Sequence, residues 1–182
     1  ALMMVKDFAM PAAVIIKHNN PTGLAEDKTL AKAYKEAWKV DTLSAFGGII
    51  GLNKKVDEAT AELIMKSGFM ECVIAPEYEP AALKLLCEKK NFRVIELPLN
   101  SVESQPWDFR QVDGGMLVQK KDNKPDDPAS FKVVTKKKPT KAQMESLLFG
   151  WQVVRNVRSN AIVLVKGYKI VGTGCGQTSR VE

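Results

Sequence analysis

The sequence predicts an α/β fold in which helices cover both faces of a largely parallel sheet. Short apolar runs alternate with amphipathic stretches of helical length over the first two-thirds of the chain. Strands and helices that alternate in this way are joined by right-handed crossovers, which set successive strands parallel. The apolar fraction of 45% and the charged fraction of 26% are typical of globular proteins. The strands predicted in this part are residues 12–17, 48–52, 71–75, 92–97 and 115–119.

Three helices are predicted between these strands, over residues 28–39, 57–67 and 79–90. In the first helix, apolar residues recur at the spacing of one helical face, and charged residues occupy the other face. Asp57 is a favoured N-cap for the second helix, and Gly68 suits its end. The apolar face of the first helix consists of Leu30, Ala33, Tyr34, Ala37 and Trp38.

The last part of the chain is interpreted as the start of a second lobe. Residues 120–130 are polar, contain two prolines and lack periodicity, so they are typical of a linker. We therefore place a first lobe at 1–124 and an incomplete second lobe at 125–182. Because the second lobe has too few elements to cover a sheet, we expect that the chain belongs to a larger protein or dimerises extensively.

The second lobe is predicted to contain one helix and three strands. Thr140 opens the helix, and Gln143, three residues later, completes a capping box. Strands are expected near 131–135, at 161–165 as a buried strand, and at 170–172. The apolar face of the helix is predicted to consist of Leu147, Leu148, Trp151, Val154 and Val157.

Composition excludes several classes of protein. No apolar stretch approaches the roughly 20 residues that span a bilayer, and the first residues lack the features of a signal peptide. The three cysteines, Cys72, Cys87 and Cys175, are too few and too scattered for a disulfide framework or a zinc site. We therefore expect a cytoplasmic protein without a membrane association.

The net charge of +6 is unevenly distributed along the chain. Residues 1–115 hold 14 Lys and Arg against 16 Asp and Glu, a net charge of −2, and residues 116–182 hold 13 against 5, a net charge of +8. A basic second half suits an anionic ligand. An alternative function is therefore a nucleotide- or RNA-binding module, although the run Lys136–Lys138 is also typical of a solvated loop.

Four segments bring polar residues or glycines to predicted strand ends. Lys17 and His18, the only histidine, end the first apolar run, and histidine is the side chain whose unperturbed pKa lies near neutrality. In the first segment, Pro21 and Gly23 are predicted to fix a tight turn. In the fourth, successive glycines could direct backbone N–H groups at a phosphate, with Arg180 beside them. The segments are KHNNPTG at 17–23, DTLSAFGG at 41–48, Arg158–Asn160 and GTGCGQTSR at 172–180.

Together these motifs resemble the transformylase part of the AICAR transformylase/IMP cyclohydrolase family, over nearly the whole chain. KHNNPTG, SAFGG, the VRSNAIVL segment and GxGxGQTSR occur in the order and spacing of that family. The resemblance implies a cytidine-deaminase-like three-layer sandwich with a mixed, largely parallel sheet, followed by an incomplete second lobe of the same type. It also implies a homodimer with active sites near the interface.

The resemblance further implies transfer of a formyl group to the 5-amino group of AICAR, 5-aminoimidazole-4-carboxamide ribonucleotide. The co-substrate is 10-formyltetrahydrofolate, no catalytic metal is involved, and no nucleic acid partner is implied. Lys17, His18 and Asn160 are the implied catalytic residues. Implied contacts to the nucleotide come from Gly47, Glu71 and Arg180, and Leu43 and Val181 flank the folate.

The chain lacks parts that the family resemblance leads us to expect. The cyclohydrolase domain would precede it and the remainder of the second lobe would follow it. We therefore expect this segment alone to bind substrates poorly and to be inactive.

Overall fold

The computed structural model describes residues 1–101, 105–122 and 124–179. The chain divides into two compact units: residues 1–99 with the chain from Pro139 onward, and Asn100–Lys138. These compact units are not the predicted lobes, and the lobes at 1–124 and 125–182 stay predictions.

A five-stranded mixed sheet forms the centre of the first unit. Its strands are β1 (Ala12–Lys17), β2 (Asn20–Glu26), β3 (Ile49–Leu52), β4 (Cys72–Ala75) and β5 (Arg93–Glu96). The strand order is β2-β1-β3-β4-β5. β1 runs antiparallel to both β2 and β3, whereas the β3–β4 and β4–β5 pairs are parallel. The predicted α/β class is therefore confirmed.

The β1–β2 hairpin differs from the turn that the sequence predicts. The chain reverses at His18 and Asn19, whose φ angles of 51° and 64° are those of a two-residue hairpin turn. Pro21 and Gly23 do not fix this turn, because both lie within β2. Pro21 has no backbone N–H to donate to a neighbouring strand. It is tolerated in β2 because the β1–β2 register shifts at its partner Ile16, so the regular pattern of hydrogen bonds is already interrupted there.

Helices cover one face of the sheet and enclose the main core. Asp57 caps its helix as predicted, since its side chain accepts a hydrogen bond from the Thr60 N–H at 2.8 Å. Four fully buried side chains from the sheet, Ile15, Ile50, Leu52 and Val73, meet the helices in this core. The helices that contribute to this core are α2 (Leu30–Val40), α3 (Thr42–Ala45), α4 (Glu58–Lys66) and α5 (Pro80–Cys87), whereas α1 (Leu2–Val5) does not.

The N-terminal segment, which includes α1, packs on the opposite face of the sheet against β1 and β3. Buried Asn53 holds it there: its amide donates to the carbonyls of Phe8 and Met10, both at 2.8 Å. The Asn53 carbonyl oxygen accepts from the Ala12 N–H at 2.7 Å. One amide side chain therefore ties the entry of β1 to the end of β3.

The chain after Pro139 adds one helix and a two-stranded sheet to the first unit. These elements are α6 (Lys141–Val154), β8 (Ile162–Val165) and β9 (Ile170–Gly174). The predicted capping box of Thr140 and Gln143 is present. The turn between β8 and β9 contacts the central sheet, which the sequence does not predict. Its Tyr168 carbonyl accepts a hydrogen bond from the Glu26 N–H at 2.8 Å, at the outer edge of β2.

The apolar face predicted for α6 is wrong in part. Leu147 and Trp151 are about half exposed, and Phe149 and Val153, which were not predicted, are buried instead. Val157, which follows the end of α6, is buried as predicted. Phe149 packs against Phe8, with ring centroids 5.6 Å apart, and this contact selects the buried stripe. The β8 strand, predicted to be buried, has its Ile162 and Leu164 side chains exposed.

The second unit contains an antiparallel hairpin of β6 (Trp107–Val112) and β7 (Gly115–Lys120). The strand predicted at 115–119 therefore belongs to a separate hairpin and not to the central sheet. No strand forms at 131–135. Short 3₁₀ turns lie at Leu99–Ser101 and Pro128–Ser130. Within the described parts of the chain, no helix is long and apolar enough to cross a membrane.

Candidate functional site

A cavity of about 530 Å³ lies at the turn end of the β1–β2 hairpin. Lys17 and His18 line it from the hairpin, Asp41 and Ser44 from the junction of α2 and α3, and Thr173 and Cys175 from β9 and the residue after it. Three of the four segments that the sequence singles out therefore share one cavity.

Lys17 and His18 reach this cavity because β1 ends there. Lys17 is the last residue of β1 and is half-buried, and His18 is exposed at the first position of the turn. Asn20 supports the turn, since its side-chain amide donates to the His18 carbonyl at 3.3 Å. Lys17 and His18 therefore both line the cavity, where a ligand could contact them.

The Lys17 ammonium has a defined position. Its Nζ donates a hydrogen bond to the Phe46 carbonyl at 2.7 Å. Asp41 supplies a carboxylate to the same wall, and hydrogen bonds from Ser44 lower the pKa of Asp41, with a smaller contribution from the charge of Lys17. Both signs of charge therefore face the cavity.

The third predicted segment, Arg158–Asn160, contacts two of the others through hydrogen bonds. The Arg158 N–H donates to the Asn20 side-chain oxygen at 3.2 Å, and the Arg158 carbonyl accepts from the Gly176 N–H at 2.8 Å. Non-local contacts thus bring this segment between the hairpin and the glycine-rich segment.

Asn160 does not line the cavity wall. Its side-chain amide donates to the Gln177 carbonyl at 2.9 Å, and its backbone carbonyl accepts from the Gln177 N–H at 3.1 Å. Asn160 therefore holds the segment that follows Cys175, a residue of the cavity wall.

The sequence predicts that backbone N–H groups of residues 172–180 bind a phosphate. This prediction is wrong for two N–H groups in the middle of the segment. The N–H groups of Gly176 and Gln177 donate to the carbonyls of Arg158 and Asn160, so neither is available to an anion. Arg180, the cation expected beside them, lies outside the described residues, as does the folate-flanking residue Val181.

Gly47 and Glu71 are on neighbouring segments but do not line the cavity. The Gly47 N–H donates to the Phe69 carbonyl at 2.9 Å, and the Glu71 N–H donates to the Gly48 carbonyl at 3.0 Å. The Glu71 carboxylate forms an ion pair with Arg93 at 2.8 Å. Their predicted contacts with a nucleotide stay predictions.

Leu43 is 87% exposed, although it is apolar. It lies in α3 between Asp41 and Ser44, both of which line the cavity. An apolar side chain with this exposure beside a cavity is available to an apolar part of a ligand.

Sequence reasoning assigned no role to Asp41, Ser44, Thr173 or Cys175, although all four line the cavity. A signal for the first two was present: Asp41 is followed three residues later by Ser44, the spacing at which an N-cap carboxylate accepts a backbone hydrogen bond. The side-chain hydroxyl oxygen of Thr173 is buried and has no hydrogen-bond partner among the residues that the structure describes. Across residues 1–101, 105–122 and 124–179, no group of three His, Cys, Asp or Glu side chains could hold a metal ion.

Comparisons with known proteins agree with each other. The model of the family described as "AICARFT/IMPCHase bienzyme" matches residues 1–182. Proteins named bifunctional purine biosynthesis protein PurH are similar to the chain: 45% identical over 181 residues in Thermoanaerobacter sp. (strain X514) and 47% over 185 residues in Magnetococcus marinus. Both alignments cover 100% of this chain and 35% of the relative. The relative from Myxococcus xanthus is 48% identical over 177 residues, which cover 94% of the chain and 34% of the relative. The chain thus spans about a third of the length of these curated relatives.

Proposed function

Because the chain belongs to the AICARFT/IMPCHase bienzyme family, we propose that it carries catalytic residues of a formyl transfer in purine biosynthesis. The reaction moves the formyl group of 10-formyltetrahydrofolate to the 5-amino group of AICAR. One observation carries the proposal: Lys17, whose ammonium donates to the Phe46 carbonyl, and the exposed His18 line the same cavity. The name of the relatives, bifunctional purine biosynthesis protein, supports the role in purine biosynthesis.

His18 is proposed to move the proton. The 5-amino group is a poor nucleophile, because its lone pair is conjugated with a ring that bears a carboxamide. As the amine nitrogen bonds to the formyl carbon and the bond to the folate nitrogen breaks, the amine must lose a proton and the folate nitrogen must gain one. A neutral imidazole within hydrogen-bond reach can accept the first proton and return it to the folate nitrogen.

Lys17 is proposed to stabilise the negative charge that develops on the formyl oxygen. Its ammonium is already held by the Phe46 carbonyl, so little reorganisation is needed as the charge forms. Asn160 is proposed to orient His18 or to donate to the formyl oxygen once ligands are bound. Its bond to Gln177 joins it to the segment that follows Cys175, which lines the cavity, and this link supports the proposal.

Substrate contacts are proposed at the remaining residues of the family motifs. Gly47, Glu71 and Arg180 are proposed to bind the nucleotide, and Leu43 and Val181 to flank the folate. The exposure of Leu43 beside the cavity supports its part. The proposal also includes a cytidine-deaminase-like fold, a cytoplasmic location and a homodimer with active sites near its interface. The segment of 182 residues alone is proposed to be inactive.

Replacement of the two cavity residues tests this function. In the natural gene product that contains this chain, Lys17→Ala and His18→Ala are expected to lower kcat for formyl transfer by about 10²-fold or more, the range for lost acid–base or charge stabilisation. The measurement is steady-state transfer to AICAR, with circular dichroism to follow folding.

Lys55→Ala provides the matched control, because this exposed lysine pairs with Glu77 away from the cavity. It is expected to retain kcat within about twofold, as a surface ion pair contributes little. Full turnover by both Lys17→Ala and His18→Ala would contradict the proposed function.

A further inference from the structure

The carbonyl that accepts the hydrogen bond from the Lys17 ammonium belongs to one short segment, residues 41–48, which we call the 41–48 loop. The loop contains Asp41, α3 and the residues up to Gly48. Its Phe46 carbonyl accepts the bond from Lys17 Nζ at 2.7 Å, although Phe46 itself has an exposed side chain. The position of the ammonium therefore depends on where the backbone of this loop lies.

Asp41 fixes the start of the loop. Its carboxylate accepts from the Ser44 N–H at 2.9 Å, and its backbone carbonyl accepts from the Ala45 N–H at 3.0 Å. The Phe46 N–H then donates to the Leu43 carbonyl at 3.4 Å. Asp41 is thus the N-cap of α3, which is a single helical turn. The last residue of α3 is Ala45, and the next residue, Phe46, carries the carbonyl that binds Lys17.

Gly48 fixes the end of the loop against β1. A Cβ at this position would lie 2.8 Å from the Ala45 carbonyl oxygen and 2.9 Å from Ile15 Cγ2, closer than real contacts. The Gly48 N–H donates to the Ala45 carbonyl at 2.9 Å. The loop is therefore packed directly on the strand that ends in Lys17.

We propose that Asp41 is a positioning residue for Lys17, acting through the capping hydrogen bond that sets the Phe46 carbonyl. The proposal rests on the proposed function for its kinetic consequence, and its structural part stands independently of the reaction. A lysine side chain has four flexible carbons, so an ammonium that is fixed before the reaction stabilises developing charge better than a free one. Asp41 itself need touch neither substrate.

Replacement of Asp41 tests the proposal in the natural gene product. In a crystal structure of the Asp41→Ala variant, Lys17 Nζ is expected to have left the Phe46 carbonyl. In kinetics, kcat is expected to fall at least tenfold while the KM for each substrate changes less than threefold, the pattern of a loss in the transition state. Asp41→Asn retains an oxygen that accepts from the Ser44 N–H, and is expected to keep kcat within threefold of wild type.

Asp57→Ala is the matched control, because Asp57 caps α4 by the same kind of bond to Thr60 but does not line the cavity. It is expected to lower thermal stability as Asp41→Ala does, and to leave kcat within twofold. A double-mutant cycle adds a further readout: in a Lys17→Met background, Asp41→Ala is expected to change the remaining rate less than twofold.

Three results would overturn the proposal: a Lys17–Phe46 bond that persists in Asp41→Ala, an Asp41→Asn variant as impaired as Asp41→Ala, or equal rate losses with and without Lys17. Failure of the proposed function is a different result. In that case the wild-type protein shows no formyl transfer, while the crystal structure of Asp41→Ala still reports whether the cap positions Lys17.

Discussion

Asn53 shows at the scale of one residue how a buried polar group stabilises this fold. It is 3% exposed, and its amide makes hydrogen bonds to Phe8, Met10 and Ala12. A buried amide is tolerated only when its donors and acceptors are paired, and here the partners are three backbone groups. Asn53 therefore contributes to the stability of the fold mainly through its hydrogen bonds to these backbone groups, and less through the packing of its side chain.

Replacement of Asn53 by Ala is expected to lower the free energy of unfolding by about 3 kcal/mol, because three backbone groups lose their partner in a buried site. Denaturant unfolding of the natural gene product measures the change. The exposed Asn91 offers a control, and Asn91→Ala is expected to change stability by less than about 0.5 kcal/mol. Equal stabilities of the two variants would show that the Asn53 bonds do not stabilise the fold.

Single residues of the site illustrate what the sequence could and could not reveal. Lys17 and His18 could be singled out because polar residues that follow an apolar strand occur at a sheet edge. The contact of Asn160 with Gln177 could not, because residues 17 positions apart meet only through the β8–β9 sheet. The capping role of Asp41 is local, and its spacing from Ser44 was readable.

At the scale of elements, the β1–β2 hairpin packs against α2 through Gly23. A Cβ on Gly23 would lie 1.9 Å from the Ala37 carbonyl oxygen and 3.2 Å from Val40 Cβ. The first of these neighbours is helix backbone, which cannot move without shifting α2. A glycine is therefore required where β2 crosses this helix.

Gly23→Ala is expected to destabilise the protein by about 3 kcal/mol or more, since overpacking against backbone forces the strand and helix apart. Thermal and denaturant unfolding measure it. At Gly115, in β7, an added Cβ meets none of the described residues within 4 Å, so Gly115→Ala is a suitable control and is expected to be near neutral. A Gly23→Ala variant as stable as this control would contradict the close packing.

The elements found from sequence are those whose pattern is local. The helices predicted at 28–39 and 57–67 form as α2 and α4, because one apolar stripe dominates each. β2 was missed because its Pro21 and Gly23 are residues that strands disfavour. In α6 two apolar stripes compete, and the stripe that is buried contains Phe149, which packs against Phe8 and Tyr168. Tertiary partners of this kind cannot be read from periodicity.

At the scale of the whole molecule, the two compact units differ in burial. The strands of the central sheet contain many fully buried side chains, whereas every residue of β6 and β7 is exposed. A two-stranded hairpin without a buried face is marginally stable. Among its described residues, the second unit, taken by itself, therefore has no buried core of its own.

Hydrogen exchange is expected to separate the units. In this chain the amides of β1 and β3 are expected to exchange only on global unfolding, and those of β6 and β7 at least about 10²-fold faster, because local opening of a hairpin exposes no core. Mass spectrometry or NMR of the exchanged protein measures the rates. Equal protection in the four strands would contradict the difference in local stability.

The cavity forms only in the folded molecule, because residues from distant parts of the chain form its walls. The most direct test is a crystal structure of the natural gene product with AICAR bound. The 5-amino nitrogen is expected within hydrogen-bond reach of the His18 imidazole, about 2.6–3.2 Å, in the cavity that Lys17 lines. A nucleotide bound elsewhere, with its amine beyond the reach of both side chains, would contradict the proposed formyl transfer.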